Sequence, residues 1–456
     1  MQCFVVQSDE IEGRLDVFYY QPEFIELERK IKKHSSKTLG DFIINISSGA
    51  TPEKDESEKY YTVSSENGVP FLRVQNVTES GLNLEDCKYI NFDTHNGMLK
   101  RSQVKEGYLL TKITGVGRMA ISSVAPKGFE GNINQHLVAI KTDGYQTSEV
   151  LAAFLNSDIG ERLAFRRSTG GTRPALDYQA LKTIPVIFKP GIVDIMQSAY
   201  AQKKQMEAEA QGLLTSFDEL FLEHIGLKLP EVKQTKIFVI DSDELEGALN
   251  AERYANRFKL DHSFKWVTVG NIGSINRETF VPSRTNADIE YSLIRIDDLD
   301  SNPSLAVLRH VRGKDINGTA LKVNPYDVLI ARLVPTIENK KFVLAPESDK
   351  PLIASTEFID LRCNSENNPL FVLALLKTDF YRHVMIQKSR GATPSRRRLS
   401  HEDFTKLPLP KIALEIQNKI ADEVKRRISE AERLRAEANK IIEEAKKKVE
   451  EMILGD

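Results

Sequence analysis

Cysteine is scarce in this sequence, with three in 456 residues (Cys3, Cys87 and Cys363), an odd number spread far apart. That excludes a disulfide framework or a cysteine-built zinc site and points to a reducing, cytoplasmic location. No apolar run approaches the ~20 residues that a membrane span needs. The start, MQCFVVQSDEIEG, lacks a basic stretch followed by an apolar one, so secretion is not expected. An excess of charge of one sign is missing too. Sixty-three Lys and Arg stand against 65 Asp and Glu, a net charge of −2, which argues against non-specific coating of nucleic acid but leaves room for a local basic site. HExxH, GxSxG, P-loop and CxxC patterns are absent, and eight histidines are scattered singly. No catalytic or metal centre is legible.

What is present is a repeated phrase. Phe4 to Asp16 reads FVVQSDEIEGRLD and Phe238 to Asn250 reads FVIDSDELEGALN. Phe, Val, Ser, Asp, both Glu, Gly and Leu are identical, and Val6/Ile240, Ile11/Leu245 and Asp16/Asn250 are near-equivalent. A period of half the chain means a duplicated domain, since solenoid repeats run to tens of residues.

Each copy reads as α/β. In the first, residues 22–33 have helical spacing, 63–141 alternate short apolar runs with turn formers, and 150–165 return to helical spacing. A polar loop from Arg166 to Pro174 then leads into the run Leu176–Pro185. The second copy repeats the order, with strand-like stretches at 291–296 and 327–333, helical spacing at 369–377, and a loop from Lys388 to Arg398 leading into Leu399–Pro408. Thr172 pairs with Thr393, and Pro185 with Pro408 after a two-residue insertion. Each copy closes on a heptad seam: Ile192, Met196, Ala199, Lys203, Met206, Ala210, Leu213, Phe217 and Leu220, then Ile420, Val424, Arg427, Ala431, Leu434, Ala438, Ile441 and Ala445. So narrow an apolar stripe flanked by charge predicts a coiled coil in which the two helices satisfy each other.

Two motifs hint at methyl or nucleotide chemistry and fail in context. Gly115 to Ala120 fits GxGxxA, but a β-branched, proline-broken stretch follows where the fingerprint needs a helix. Asn324-Pro325-Tyr326 is one proline short of the Asn-Pro-Pro-Tyr signature of amino-methyltransferases, and the first copy has Lys105-Glu106-Gly107-Tyr108 there. A turn before a strand accounts for both. The Arg/Thr/Gly loops suit phosphate oxygens better, with small residues beside guanidinium and hydroxyl donors. Arg166, Arg167, Thr169, Gly170, Gly171, Thr172 and Arg173 form the first, and Arg390, Gly391, Thr393, Ser395, Arg396, Arg397 and Arg398 the second. Candidates for base contact are the polar strand ends Lys112, Arg118, Asn134, Gln135 and His136, and Arg332, Ser355, Thr356 and Glu357.

Two variable bodies, each followed by a Gly/Thr loop, a proline-ended strand and a long helix, together with Arg14-Leu15-Asp16 and Tyr19-Tyr20 before Pro22, resemble the specificity subunit of type I restriction-modification systems; type IIB specificity subunits share the pattern. The resemblance implies two target recognition domains at 1–189 and 229–410, with helices at 190–228 and 411–456 pairing as an antiparallel coiled coil. It implies a non-catalytic reader of double-stranded DNA that directs two adenine-N6 methyltransferase subunits to a split, asymmetric site, joined by a motor-nuclease subunit for restriction. S-adenosylmethionine, ATP and magnesium would belong to those partners, with no cofactor in this chain and no membrane. The Gly/Thr loop carries over to Gly170, Gly171 and Thr172, and to Gly391, Ala392 and Thr393, where Ala392 replaces a glycine. A free-standing methyltransferase or nuclease, or a coiled-coil scaffold that binds no DNA, are the alternatives.

Overall fold

The computed structural model describes residues 4–6, 11–53, 57–63, 65–115, 117–171, 173–215, 217–229, 239, 260–299, 308–391, 393 and 396–455. The second copy of the opening phrase (apart from Val239), Thr172, Ala392 and Ser395 lie outside them. The chain divides into two compact units, residues 1–205 with 437–456, and residues 206–436. The units divide the two long helices between them, where the sequence suggested boundaries at 189, 228 and 410.

The first unit stacks helices on one sheet and that sheet on a second. The four-stranded sheet runs Asn45–Ser48, Leu137–Lys141, Leu109–Lys112, Ser122–Val124, all antiparallel. Its central strands are buried on both faces. Leu109, Val138 and Ile140 face the helices, while Leu110, Leu137 and Ala139 pack with Leu72, Val104 and Ile133. Alternate residues point to opposite faces, so a strand covered on both sides reads as a continuous apolar run rather than an alternating one. The second sheet runs Tyr61–Thr62, Lys88–Asn91, Gly68–Leu72, Glu130–Ile133, Gln103–Lys105, with its third and fourth strands parallel.

The second unit repeats this frame. Gly273–Asn276, Phe358–Cys363, Val328–Ala331 and Phe342–Leu344 match the first four-stranded sheet in order and direction. In the five-stranded sheet, Arg309–Arg312, Glu290–Ile294, Leu352–Ser355 and Ala320–Lys322 match the run from Lys88–Asn91 to Gln103–Lys105, again with one parallel pair. The fifth strand differs. Tyr61–Thr62 adds beyond Lys88–Asn91 in the first unit, whereas Thr279–Phe280 adds beyond Ala320–Lys322, at the opposite edge, in the second.

Residues 150–165 split into two helices, Tyr145–Leu155 and Asp158–Arg167, because Asn156 ends one and Ser157 caps the next by accepting from the Gly160 N–H. Pro369–Leu376 and Asp379–Lys388 repeat the pair. The glycine stretch after residue 114 leads into the strand Ser122–Val124, with no helix there to take a phosphate. Asn324-Pro325-Tyr326 is a turn. Tyr326 (φ 68°) and Gly107 (φ 80°) hold the same left-handed place, their N–H groups donating to Ala345 and Ala125.

The long helices are Gly191–Thr215, followed by Phe217–Ile225, and Leu414–Leu454. They pair antiparallel within each unit. In the first, Ile192, Met196 and Ala199 pack with Ile442, Ala445, Val449 and Ile453, and Lys203, the seam's polar break, donates to Asn439 at 3.3 Å. In the second, Met206, Ala210, Leu213 and Leu214 pack with Ile428, Ala431 and Leu434. Among the described residues no helix is long and apolar enough to cross a membrane.

Candidate nucleic-acid interface

In the first unit three polar segments are tied together by backbone bonds at the end of Leu109–Lys112. The Leu176 N–H donates to the Ile113 carbonyl (2.8 Å), and the Ile113 N–H donates to the His136 carbonyl (3.1 Å). Thr114 bridges Ala175, which exchanges two 2.8 Å bonds with Thr169. On this knot Thr114 Oγ1 lies 2.6 Å from His136 Nδ1, Thr51 bonds Gln135, and the Asn134 side chain accepts from the His136 N–H at 3.1 Å. Gln135, His136, Thr169, Gly170, Gly171 and Arg173 are all exposed. Gly170 has φ +96°, a conformation that favours glycine.

The second unit ties the same knot. Leu399 N–H donates to the Arg332 carbonyl (2.8 Å), Arg332 N–H to the Glu357 carbonyl (3.1 Å), and Arg398 bridges both Leu333 and Arg390. Ser355 Oγ accepts from the Glu357 N–H as Asn134 does from His136. The turn passes so close to itself that a Cβ on Gly391 would sit 2.8 Å from Arg397 Cα, which no side chain tolerates. The equivalent positions carry unlike chemistry: Ile113, Thr114, His136, Thr169 and Ala175 against Arg332, Leu333, Glu357, Arg390 and Arg398. Arg398 makes a bidentate pair with Glu357, at 3.1 and 3.3 Å, and Arg390 bonds Asp403 at 3.1 Å. The Arg332 Nε is buried with no hydrogen-bond partner. His401 is held below the usual histidine range by burial first, then by Arg332 and Arg277. Thr356, Thr393 and Arg396 are exposed.

Several expected contacts are spent elsewhere. Arg166 and Arg167 are not loop residues but the last turn of Asp158–Arg167, with side chains only 4% and 3% exposed. Both bond Glu28, whose carboxyl burial would raise but which Arg167 and Arg166 hold below the ordinary value. The Arg166 guanidinium also lies 4.1 Å from the Tyr19 ring centre. Arg118 is the hub of an acidic cluster, Glu79 (3.1 Å), Asp158 (2.9 Å) and Glu161 (3.4 Å), rather than a base contact. Lys112 and Asn134 are buried. Arg397 donates to the Ile386 and Ser389 carbonyls at 3.1 and 3.3 Å, finishing the helix Asp379–Lys388. The expected contacts did not include Thr51 and Thr114, the hydroxyl partners of Gln135 and His136; Thr114 stands directly before Gly115, the first residue of the GxGxxA pattern. Nor did the expected contacts include Arg277 and His401.

No protein-family profile matches the chain. No curated protein matches it either. Among solved structures it is similar to a chain from a study of complex assembly and conformational transition of the type I R-M system (14% identity, 92% of this chain and 95% of that one, TM-score 0.43). It is also similar to the type I restriction-modification S subunit from M. genitalium (12% identity, 92% and 94%, TM-score 0.39) and the HsdS subunit from Thermoanaerobacter tengcongensis (13% identity, 92% and 94%, TM-score 0.34).

Proposed function

We propose that this chain is a specificity subunit of the type I restriction-modification kind, reading two different DNA half-sites and catalysing nothing itself. The observation that carries the reading is the knot built twice. One backbone arrangement, fixed by the same hydrogen bonds around Ile113 and Arg332, presents Thr, His and Ala in one unit and Leu, Glu and Arg in the other. A constant frame with exchanged side chains is what two unlike DNA sequences require, because backbone contacts position a protein while base edges specify the sequence. In this reading two methyltransferase subunits bring S-adenosylmethionine, and a motor-nuclease subunit brings ATP and magnesium. The paired helices set the interval between half-sites.

The test is methylation of duplex DNA by the chain alone and with a co-expressed methyltransferase subunit. Methyl transfer is expected only from the complex, at a split and asymmetric sequence. Labelling by the pure chain would make it an enzyme, and failure of the complex to retain DNA would leave a scaffold.

A further inference from the structure

We infer that Arg398, its guanidinium held by Glu357, reads a guanine in the half-site recognised by the second unit. This rests on the DNA-reading function proposed above and assigns one of its contacts. Arginine has five N–H donors in a planar fork. Glu357 takes the edge formed by Nε and one Nη, through both of its carboxylate oxygens. The end-on edge, formed by Nη1 and the second N–H of Nη2, keeps two parallel N–H groups, the pattern that matches guanine O6 and N7 in the major groove. Both side chains remain accessible, 44% for Arg398 and 36% for Glu357.

The same pairing argues against the phosphate grip that an arginine-rich loop suggests. A carboxylate beside the guanidinium cancels its attraction for phosphate and repels the phosphate itself. It does not weaken a guanine contact in this way, because the guanine edge is neutral and is recognised by direction. A buttressing carboxylate also fixes the fork before binding, so less side-chain freedom is lost on docking. In the first unit the equivalent places hold Ala175 and His136, so the device exists in one unit only.

The experiment is selection from a library of random DNA duplexes by the chain in complex with its methyltransferase subunits, for the native protein and for Arg398→Lys, Arg398→Ala and Glu357→Gln. Arg398→Lys keeps the charge and loses the fork. The native complex should yield a two-part motif. Both Arg398 variants should lose the preference for guanine at one position of one half-site, by about tenfold or more, with the other half-site unchanged. Glu357→Gln should weaken the same preference without moving it. A motif that survives intact in folded Arg398 variants, bound more weakly at every sequence, would overturn the assignment while leaving the DNA-reading function in place. A change of base preference in Glu357→Gln with none in Arg398→Lys would also overturn it, making Glu357 the reader. If the native complex enriches no sequence at all, the proposed function itself fails.

Discussion

Arg14 and Arg397 do the same job from different places in their repeats. The Arg14 guanidinium donates to the carbonyls of Arg167 (3.0 Å) and Ser168 (3.2 Å), and Arg397 to those of Ile386 and Ser389. Ser168 and Ser389 are the residues that end the helices Asp158–Arg167 and Asp379–Lys388. The duplicated phrase has Ala248 where the first copy has Arg14, and Arg397 lies at the two-residue insertion. The duplication has therefore kept the hydrogen bond to the helix-ending serine carbonyl and relocated the arginine that makes it.

Arg397→Ala should accordingly destabilise the second unit without relaxing sequence choice. Hydrogen bonds to a charged group contribute about 1.5–3 kcal/mol, so the melting temperature should fall by several degrees. Arg396→Ala, an exposed residue, should change stability by no more than about 0.5 kcal/mol. It should weaken binding to every sequence and reduce the salt slope by roughly 0.9. Calorimetry and salt-titrated binding separate the two; a normal melt with a reduced slope in Arg397→Ala would make it a phosphate ligand.

Glu28→Gln should be among the most damaging single changes in the first unit. It leaves Arg166 and Arg167 buried and facing an amide, and breaking a buried ion pair from one side costs about 3–5 kcal/mol. The loss should show as early unfolding, measured by hydrogen exchange in the helices Pro22–His34 and Asp158–Arg167. Normal protection there would mean that water reaches both guanidinium groups.

Asp360 gives a pH signature. It is fully buried, and burial above all, with Asp327 close by, pushes its carboxyl up to about 7 from the ordinary 3.8, against the pull of Asn276 and Arg362. Between those values the native state keeps a proton that the unfolded chain releases, so stability falls as pH rises from about 4 to about 7 and then levels. Asp360→Asn accepts from Asn276 equally well and cannot ionise. It should be the more stable protein at pH 8, by at most about 4 kcal/mol, with the advantage gone at pH 4. Parallel melting curves at pH 8 would show that the side chain stays neutral there.

The helix pair can be shortened in register. Lys203 faces Asn439, so the stretch opposite Met206–Gly212 is Glu430–Ala436. Deleting both removes about 10 Å of rod, or roughly three base pairs at ~3.4 Å each. Sequencing the sites methylated by this variant with its partners should return the same half-sites closer together. An unchanged interval in an active variant would take the helices out of the spacing mechanism.

The frame was legible where burial repeats with a period. Val328–Ala331 shows as an apolar run because Val328 and Ile330 face one core and Leu329 and Ala331 the other. The seams of the long helices match in part: Leu214 and Ile442 are buried where Leu213 and Ile441 were expected, and Phe217, Leu220, Ile420 and Val424 join the second unit's core. The two loops and the strand ends beside them were legible as polar segments, and the structure ties them together, but the pairing of their charges was not legible. Arg166 looks free until Glu28, more than a hundred residues earlier, is folded against it, and Arg398 looks like a phosphate ligand until Glu357 is beside it. A charge announces itself in sequence; its counter-charge does not, because pairing depends on contacts that no local period records.

The first unit also sets an order for synthesis. Its core holds Ile442, Ala445, Val449 and Ile453 beside Ile192, Met196 and Ala199, so it cannot close until the last turns of the final helix leave the ribosome. At about 5–20 residues per second, residues 206–436 take on the order of tens of seconds to make. Through that interval the seam of the first long helix lacks the residues 437–456 that complete its core. The unit that opens this sequence thus takes part of its core from more than two hundred residues later.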